Sequence, residues 1–368
     1  MPRSSQTAIP CTLMRGGTSK GPFFLADDLP QDPALRERVL LAVMGSPDPR
    51  QIDGLGGADP LTSKIAIVSR SLRPGIDVDY LFAQVSIEKA SVDITPNCGN
   101  MLAGVGGFAI ERSLVTPVTP NTAVTIYMVN TGNIAVAHIP TPGGMVEFEG
   151  STAIAGVPGT SAAIQIDFRD TAGSVCGSML PTRNVLDAID GCAATLIDNG
   201  MPVVVLLARD FGKTGYETPA ELDADKAFKT RLETIRLAAG ERMGLGNVRL
   251  KVIPKMTLIA APRATGNVTT RTFIPQKCHS AIGVLGAVTV ATACALPGSV
   301  AEGIATLPDG PTKQISVEHP TGEFTVEIEV VASGNRIRVS RSSLVRTARA
   351  LFSGHVYVPQ HVWDGTTK

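Results

Sequence analysis

The sequence predicts an α+β fold of two similar halves, each a curved sheet wrapped round one apolar helix. Segments rich in β-branched and apolar residues are numerous, short and separated by Gly, Pro and Asn turns, as strands usually are. Two Gly-rich apolar helical segments each follow a cysteine, Cys98 in the first half and Cys278 in the second. The two halves are offset by about 180 residues, which indicates a duplicated unit.

The individual elements follow from local patterns. Strands of the first half are predicted at residues 7–14, 22–25, 64–69, 78–87, 124–129, 134–139 and 145–148. Strands of the second half are predicted at residues 203–208, 249–260, 267–272, 315–318, 324–331 and 335–340. Helical spacing or strong helix formers predict helices at residues 34–44, 98–113, 180–187, 220–243, 280–295 and 342–351.

Composition excludes several classes of protein. The chain has 33 Lys and Arg against 33 Asp and Glu, and it lacks the basic face that binding to nucleic acid needs. A local cluster of cations within this neutral total can still bind a small anion. The six cysteines are scattered without metal-site spacing and the polar N-terminus carries no apolar signal segment, so we expect free thiols and a cytoplasmic protein.

One segment imitates a membrane span. Residues 281–296 are uncharged and apolar, and Pro297 ends the run. This length falls short of the roughly 20 residues that a bilayer requires. We therefore interpret the segment as a helix surrounded by protein rather than by lipid.

The segment 97–100, with the sequence Asn-Cys-Gly-Asn, lies where a predicted helix begins. The first N–H groups of a helix lack internal acceptors and carry the positive end of its dipole, so they favour an anion or a thiolate. Cys98 at this position can serve as an acid or a base, and the alternative is an inert thiol beside a capping Asn. The segment 277–280, Lys-Cys-His-Ser, is predicted to form a second helix start of this kind.

Two cations lie beside glycine-rich turns. Arg15 precedes the turn 16–19, Gly-Gly-Thr-Ser, and its guanidinium offers a bidentate fork for a carboxylate. The alternative is a solvated arginine at a strand turn, and the spacing does not match a phosphate-binding P-loop. Lys64 follows the loop 54–63 and is predicted to begin a strand, where burial and nearby positive groups would favour the neutral amine of a general base. A surface lysine is the alternative there.

Taken together, these segments resemble one family, the PrpF-like isomerases with the diaminopimelate-epimerase fold. The resemblance rests on residues 14–21 (MRGGTSKG), 44–64 (MGSPDPRQIDGLGGADPLTSK), 97–100 (NCGN) and 275–281 (PQKCHSA), in order, and it continues to the tail at 348–359. The family acts on methylaconitate, methylitaconate and 4-oxalomesaconate. Residues 45–64 and 276–281 are most similar to the 4-oxalomesaconate members.

The resemblance implies two open β-barrel domains, residues 1–183 completed by 345–368 and residues 184–344, with the active site between them. It implies Lys64 and Cys98 as the catalytic residues, Lys64 being the base. The implied substrate contacts are Arg15, Gly17, Thr18, Ser19, Asn97, Gly99, Asn100, Arg271, Cys278, His279 and Ser280. In the second half, the resemblance leaves open whether the cysteine or its two neighbours face the substrate.

The predicted reaction is a proton shift, keto–enol or allylic, in 4-oxalomesaconate or a related unsaturated tricarboxylate of aromatic-acid catabolism, without a cofactor or a metal. Three alternatives stay open: a methylaconitate or methylitaconate isomerase, a racemase or epimerase that uses Cys98 and Cys278, and a binder of organic acids without catalysis. The expected partner is the small tricarboxylate, and neither nucleic acid nor membrane is expected. The sequence leaves a homodimer open.

Overall fold

The computed structural model describes residues 5–95, 97–169, 171–333 and 336–366. The chain divides into two compact units, unit 1 with Met1–Asp167 and Val345–Lys368 and unit 2 with Phe168–Leu344. Residues 168–183 were predicted to belong to the first domain, but the structure places them in unit 2. Backbone hydrogen bonds explain this difference, because Gly173 N donates to Asp198 O (2.8 Å) and Asp198 N donates to Met179 O (2.9 Å).

The described residues form seventeen strands, five α-helices and three short 3₁₀ helices. The strands are β1 (Gln6–Gly16), β2 (Ser19–Leu25), β3 (Lys64–Arg70), β4 (Val78–Val85), β5 (Val92–Asp93), β6 (Asn121–Met128), β7 (Asn133–Pro140), β8 (Ile164–Arg169), β9 (Asp187–Ile189), β10 (Cys192–Asp198), β11 (Pro202–Leu207), β12 (Lys255–Ala260), β13 (Val268–Phe273), β14 (Thr312–His319), β15 (Gly322–Ser333), β16 (Arg336–Arg346) and β17 (Ala348–Pro359). The α-helices are α1 (Pro33–Met44), α2 (Gly99–Glu111), α3 (Pro219–Ala224), α4 (Lys226–Arg242) and α5 (Val284–Ala295). The 3₁₀ helices are Ala26–Asp28, Pro142–Gly144 and Ala208–Phe211.

Unit 1 is a curved sheet with a helix on each face. Its strands pair in the order β17-β1-β2-β3-β4-β6-β7, and β5 adds to β4. The pairs β2–β3 and β4–β6 are parallel, and the others are antiparallel. Helix α2 packs against six of these strands, and its residues from Met101 to Ile110 are all buried. Helix α1 covers the other face, where Val39, Val43 and Met44 share a core with β3.

Unit 2 repeats this order of elements. Its strands pair as β9-β10-β11-β12-β13-β14-β15-β16, and the pairs β11–β12 and β13–β14 are parallel. A helical connection joins the two strands of each parallel pair, with α3 and α4 of unit 2 corresponding to α1 of unit 1, and α5 corresponding to α2. The predicted pair of similar α+β halves is confirmed by this shared topology.

The apolar segment of the second half is a buried helix. In α5, which has 12 residues, every side chain from Ala287 to Ala295 is buried within unit 2. Among the described residues, no helix combines the length and the apolar composition that crossing a bilayer requires.

Three predicted elements were wrong. Residues 342–351 lie in β16 and β17, because pairing with β15 and β1 outweighs the helix propensity of their Leu, Ala and Arg side chains. Residues 180–187 form turns, in which Thr182 and Asn184 donate side-chain hydrogen bonds to the Asp187 carboxylate and so compete with a helix. Residues 145–148 are irregular rather than a strand.

The glycines of α2 allow a stability test. A Cβ on Gly104 would lie 2.7 Å from Cζ of Phe23, whose ring is fixed against Phe108 at a centroid distance of 5.7 Å. We expect Gly104→Ala to lower the free energy of unfolding by about 1–3 kcal/mol, as overpacked cores do. The matched control is Gly107→Ala, whose Cβ would make ordinary contacts at 3.4 Å or more. This variant should leave the free energy of unfolding unchanged or raise it by up to about 1 kcal/mol through helix propensity. Urea denaturation measures both, and equal effects would contradict the packing argument.

Candidate active site

Lys64 is the first residue of β3 and its side chain is buried on the α2 face of the sheet. Its Nζ donates to Ser19 Oγ at 3.1 Å and lies 3.5 Å from Cys98 Sγ. The ring of Phe82 forms a further wall, with its centroid 5.8 Å from Nζ. No carboxylate of a described residue lies within 4.0 Å of this amine, so its immediate environment is a hydroxyl, a thiol and an aromatic ring.

Cys98 is the N-cap residue of α2, as the sequence predicts for a helix start. Its backbone is extended (φ −128°, ψ 101°), and its side chain does not cap the helix. The first N–H groups of α2, beginning at Gly99, therefore keep the free donors and partial positive charge of a helix N-terminus. The Cys98 carbonyl accepts hydrogen bonds from Leu102 N (3.0 Å) and from the hydroxyl of Tyr80 (3.3 Å). Burial raises the pKa of Tyr80 well above its usual value, so the phenol stays a donor and holds the thiol-bearing residue in place.

The β1–β2 turn lies directly against this helix start. Asn100 Nδ2 donates to Thr18 Oγ1 at 2.9 Å. Gly17 has φ +52°, and a Cβ there would lie 2.2 Å from Asn100 Oδ1, so only glycine fits this position. Gly21 likewise faces the backbone of Lys64, whose carbonyl oxygen would be 1.8 Å from an added Cβ. The glycine-rich sequence thus brings the turn, the lysine and the helix start together.

Arg15 is anchored at this turn, with part of its hydrogen-bonding capacity used by the protein. Its Nη1 donates to Gly17 O (2.9 Å), Thr347 O (3.1 Å) and Thr347 Oγ1 (2.9 Å), and Nη2 donates to Ser161 Oγ (3.1 Å). No acceptor among the described residues takes the Nε–H, and Nη2 retains a second N–H. The guanidinium is therefore oriented by the turn and still has donors for a carboxylate, so its structural contacts are compatible with the predicted clamp.

Asn97 lies beside Cys98 and is partly buried. Its Nδ2 donates to Thr131 Oγ1, whereas its buried Oδ1 has no hydrogen-bond partner among the described residues. Since a buried polar atom rarely stays unpaired, this oxygen marks a position where a ligand donor is expected.

In unit 2 the segment 277–280 does not begin a helix, contrary to the prediction. Helix α5 starts at Val284 with Gly283 as its N-cap. Cys278 instead pairs with Phe273 in an isolated antiparallel bridge, and its N–H donates to Asp223 Oδ1 at 2.8 Å. The cause is local, because the pairing with Phe273 holds this segment extended. Burial and the Asp223 carboxylate raise the pKa of Cys278 to about 12, so its thiol is protonated at neutral pH.

Three other predicted contacts lie in unit 2. The buried Arg271 donates from Nε to Glu217 O (2.6 Å) and from Nη1 to Thr270 O (2.8 Å), so backbone carbonyls hold its guanidinium. His279 and Ser280 line, with Cys278, a cavity of about 510 Å³. His279 Nδ1 accepts a hydrogen bond from Ala281 N at 2.8 Å, which places the proton of the neutral ring on Nε2.

Sequence reasoning missed the residues that orient the site. Thr347 and Ser161 hold Arg15, and Tyr80 holds the Cys98 carbonyl. The first two lie far from Arg15 along the chain, and no local motif announces such partners. For Tyr80 a signal existed, because a tyrosine at an inward-facing position of a strand needs a hydrogen-bond partner for its hydroxyl.

Comparison with known proteins agrees with this architecture. The PrpF protein family model matches residues 6–359. The 4-oxalomesaconate tautomerase of Pseudomonas putida is 57% identical over 363 residues, covering 99% of each chain. The (4E)-oxalomesaconate Delta-isomerase of Novosphingobium sp. (strain KA1) is 57% identical over 360 residues, 97% of this chain and 100% of that protein. The crystal structure of a methylitaconate-delta-isomerase is similar with a TM-score of 0.83 at 36% identity, covering 98% of this chain and 97% of that one.

These relatives are isomerases, and each of them matches the duplicated α+β chain over almost its entire length. The chain is therefore itself an isomerase. The chain belongs to the PrpF family. The predicted family and fold are thus confirmed, and the roles of Lys64, Cys98 and the other site residues stay predictions.

The ionisation of His279 can be tested directly. Burial, and secondly the charge of Lys255, lower the pKa of His279 below its ordinary value near 6.5. We expect a neutral ring with the proton on Nε2 at pH 6.5, and a higher pKa in Lys255→Met, because that variant removes a neighbouring cation. Two-dimensional ¹H–¹⁵N NMR of the imidazole nitrogens measures both. An imidazolium at pH 7, or no shift in the variant, would contradict this assignment.

Proposed function

We propose that this isomerase moves a proton within 4-oxalomesaconate, or a closely related unsaturated tricarboxylate, and that Lys64 is the base. The single observation that carries this proposal is the buried Lys64 amine between Ser19 Oγ and Cys98 Sγ, at the start of α2 and without a carboxylate partner among the described residues. The names of the two relatives at 57% identity supply the substrate.

In the proposed mechanism the neutral Lys64 amine takes a proton from a carbon next to the keto or carboxyl group. The C–H bonding electrons move into the conjugated system and give a dienolate, while the amine becomes an ammonium ion. Ser19 Oγ accepts a hydrogen bond from Nζ and so aims the amine. A base within hydrogen-bond reach of its proton contributes roughly 10²- to 10⁴-fold to a rate.

The negative charge of the dienolate needs fixed donors. The first N–H groups of α2, from Gly99 and Asn100, supply the positive end of a helix dipole beside Lys64. Arg15 supplies its Nε–H and a second Nη2–H to a carboxylate of the same substrate. Donors held in advance cost no reorganisation when the charge develops, which is the physical basis of this type of catalysis.

The same intermediate permits two products. Return of the proton to the enolate oxygen gives the enol tautomer, and return to the distal carbon moves the double bond. Either route is a proton shift within one molecule and transfers no electrons to an acceptor. Cys98 Sγ, at 3.5 Å from Nζ, is placed to relay or deliver that proton.

Lys64→Met tests the base. We expect turnover to fall by roughly 10²- to 10⁴-fold and the exchange of substrate hydrogen for deuterium in heavy water to stop, whereas binding of the substrate persists. Lys89→Met, which removes an exposed lysine of unit 1, is the matched control and should retain full turnover. A Lys64→Met enzyme that still exchanges deuterium would exclude Lys64 as the base. A wild-type protein that binds these acids and turns over none of them would instead support the alternative of a binder of organic acids without catalysis.

Substrate choice separates the proposal from its nearest alternative. The resemblance to the methylitaconate-delta-isomerase structure makes methylitaconate and methylaconitate the competing substrates. A panel of 4-oxalomesaconate, methylaconitate, methylitaconate and aconitate, compared by kcat/KM, decides between them. The proposal requires the highest value for 4-oxalomesaconate.

Cys278→Ala tests the racemase alternative. A two-base racemase uses each cysteine as the base in one direction, yet Cys278 has a pKa of about 12 and supplies almost no thiolate at neutral pH. We expect Cys278→Ala to lose less than about tenfold in kcat, and Lys64→Met to lose far more. A loss in Cys278→Ala as large as that in Lys64→Met, measured with the same substrate, would favour the two-cysteine mechanism.

We also propose a cytoplasmic location. All six cysteines are free thiols in the structure, which suits a reducing compartment.

A further inference from the structure

Three cations lie side by side across three strands of unit 1. In the strand register Arg15 of β1 is directly opposite Arg349 of β17 on one side and directly opposite Lys20 of β2 on the other. Directly opposed residues of antiparallel strands project from the same face of the sheet. We call Arg349, Arg15 and Lys20 the cation row. Arg349 is exposed, and the other two are half-buried.

No carboxylate of a described residue balances the cation row. Strands β1, β2 and β17 contain no Asp or Glu. Within the described parts of the chain, no carboxylate oxygen lies within 4.0 Å of any of the three side chains. The proximity is electrostatically significant, since Arg349 contributes to lowering the pKa of Arg15, second to burial.

Such a row is unfavourable for the fold by itself. Like charges directly opposite each other on a sheet destabilise it, and neighbouring strands are only about 4.8 Å apart. A chain with equal numbers of acidic and basic residues contains enough carboxylates to neutralise these three cations, yet none in the described part of the chain is placed beside them. An unbalanced arrangement of this kind indicates a function for the positive potential.

The cation row projects from the face of the sheet opposite to α2, one ladder position from the turn of the candidate active site. The pair Gly16 and Ser19 follows the pair Arg15 and Lys20 in the same ladder, about 3.4 Å further along the strands. Ser19 is the residue that accepts the hydrogen bond from Lys64 Nζ. The Debye length is about 8 Å at physiological ionic strength. The backbone of the cation row is therefore within about one Debye length of the turn.

From this geometry we infer that the cation row attracts the polyanionic substrate and guides it to the turn at Gly16–Ser19. This inference rests on the proposed function, which supplies a substrate with three carboxylates. Lys20 and Arg349 act through the long-range potential, whereas Arg15 also has donors for direct contact. A field from several like charges raises the association rate and local concentration of an oppositely charged ligand, and this effect grows with the charge of the ligand.

The test compares Lys20→Gln, Arg349→Gln and the double variant with the wild type. The value of kcat/KM for 4-oxalomesaconate is measured from about 0.01 M to about 0.15 M ionic strength, a range over which the Debye length falls from about 30 Å to about 8 Å. At low ionic strength we expect each single variant to lose roughly three- to tenfold in kcat/KM with kcat unchanged. The double variant should show a distinctly flatter dependence of log kcat/KM on log ionic strength.

Arg70→Gln is the matched control. It removes the same charge from the far end of β3, six positions from Lys64 and so roughly 20 Å away. It should leave the salt dependence of the wild type unchanged. Equal slopes for the wild type and the double variant would overturn the inference, and so would a loss confined to kcat, which would give the row a structural or chemical role.

Failure of the proposed function has a different signature. If the wild type does not convert 4-oxalomesaconate, the proposed function is rejected, and the salt dependence is then measured on the binding of tricarballylate, a saturated tricarboxylate, by calorimetry. A flatter dependence in the double variant would still support the cation row as an anion-attracting surface. An unchanged dependence would reject it.

Discussion

The close approach of the β1–β2 turn to the first turn of α2 is the constraint on which the candidate site depends. Asn100 bonds Thr18 across this contact, and the absence of a side chain on Gly17 leaves room for the amide. The contact brings both Ser19 and Cys98 to the Lys64 amine. A displacement of about 1 Å between turn and helix would separate the amine from the helix N–H groups, and catalysis is sensitive to misplacement of that size.

The sheet that carries the turn is completed by the end of the chain. Strand β17 pairs with β1 along its whole length, and Thr347, immediately before β17, accepts hydrogen bonds from Arg15 and from Gly17 N. The orientation of Arg15 therefore depends on residues some 330 positions later in the sequence. This long-range pairing costs loop-closure entropy, and the buried contacts of unit 1 compensate for it.

Local patterns predicted the parts of the site that are locally determined. The Gly-rich helix α2, the position of Cys98 before it and the position of Lys64 at the start of a strand each follow from a few neighbouring residues. The family resemblance added the residues that must meet. The resemblance assigned residues 345–368 to the first domain, but local patterns predicted a helix where β17 begins, because Leu, Ala and Arg favour a helix until a partner strand is present. The helix start expected at residues 277–280 failed for a different reason, because the local bridge between Cys278 and Phe273 holds this segment extended.

The duplicated topology explains why the two units need not share one role. In unit 2 the equivalent turn carries Asn199, whose side chain is fully engaged: Nδ2 donates to Thr292 Oγ1 (2.8 Å) and Ser342 Oγ (3.0 Å), and Oδ1 accepts from Thr171 Oγ1 (2.7 Å). Thr292 lies well inside α5, so the Asn199 amide contacts the body of its helix. In unit 1 the amide of Asn100, in the first turn of α2, bonds the turn at Thr18. A polar group with all its hydrogen bonds satisfied inside the protein has none left for a ligand. Arg15 and the first N–H groups of α2 do have free donors, and this difference in hydrogen-bond capacity, on the same order of strands, favours unit 1 as the position of the proposed base.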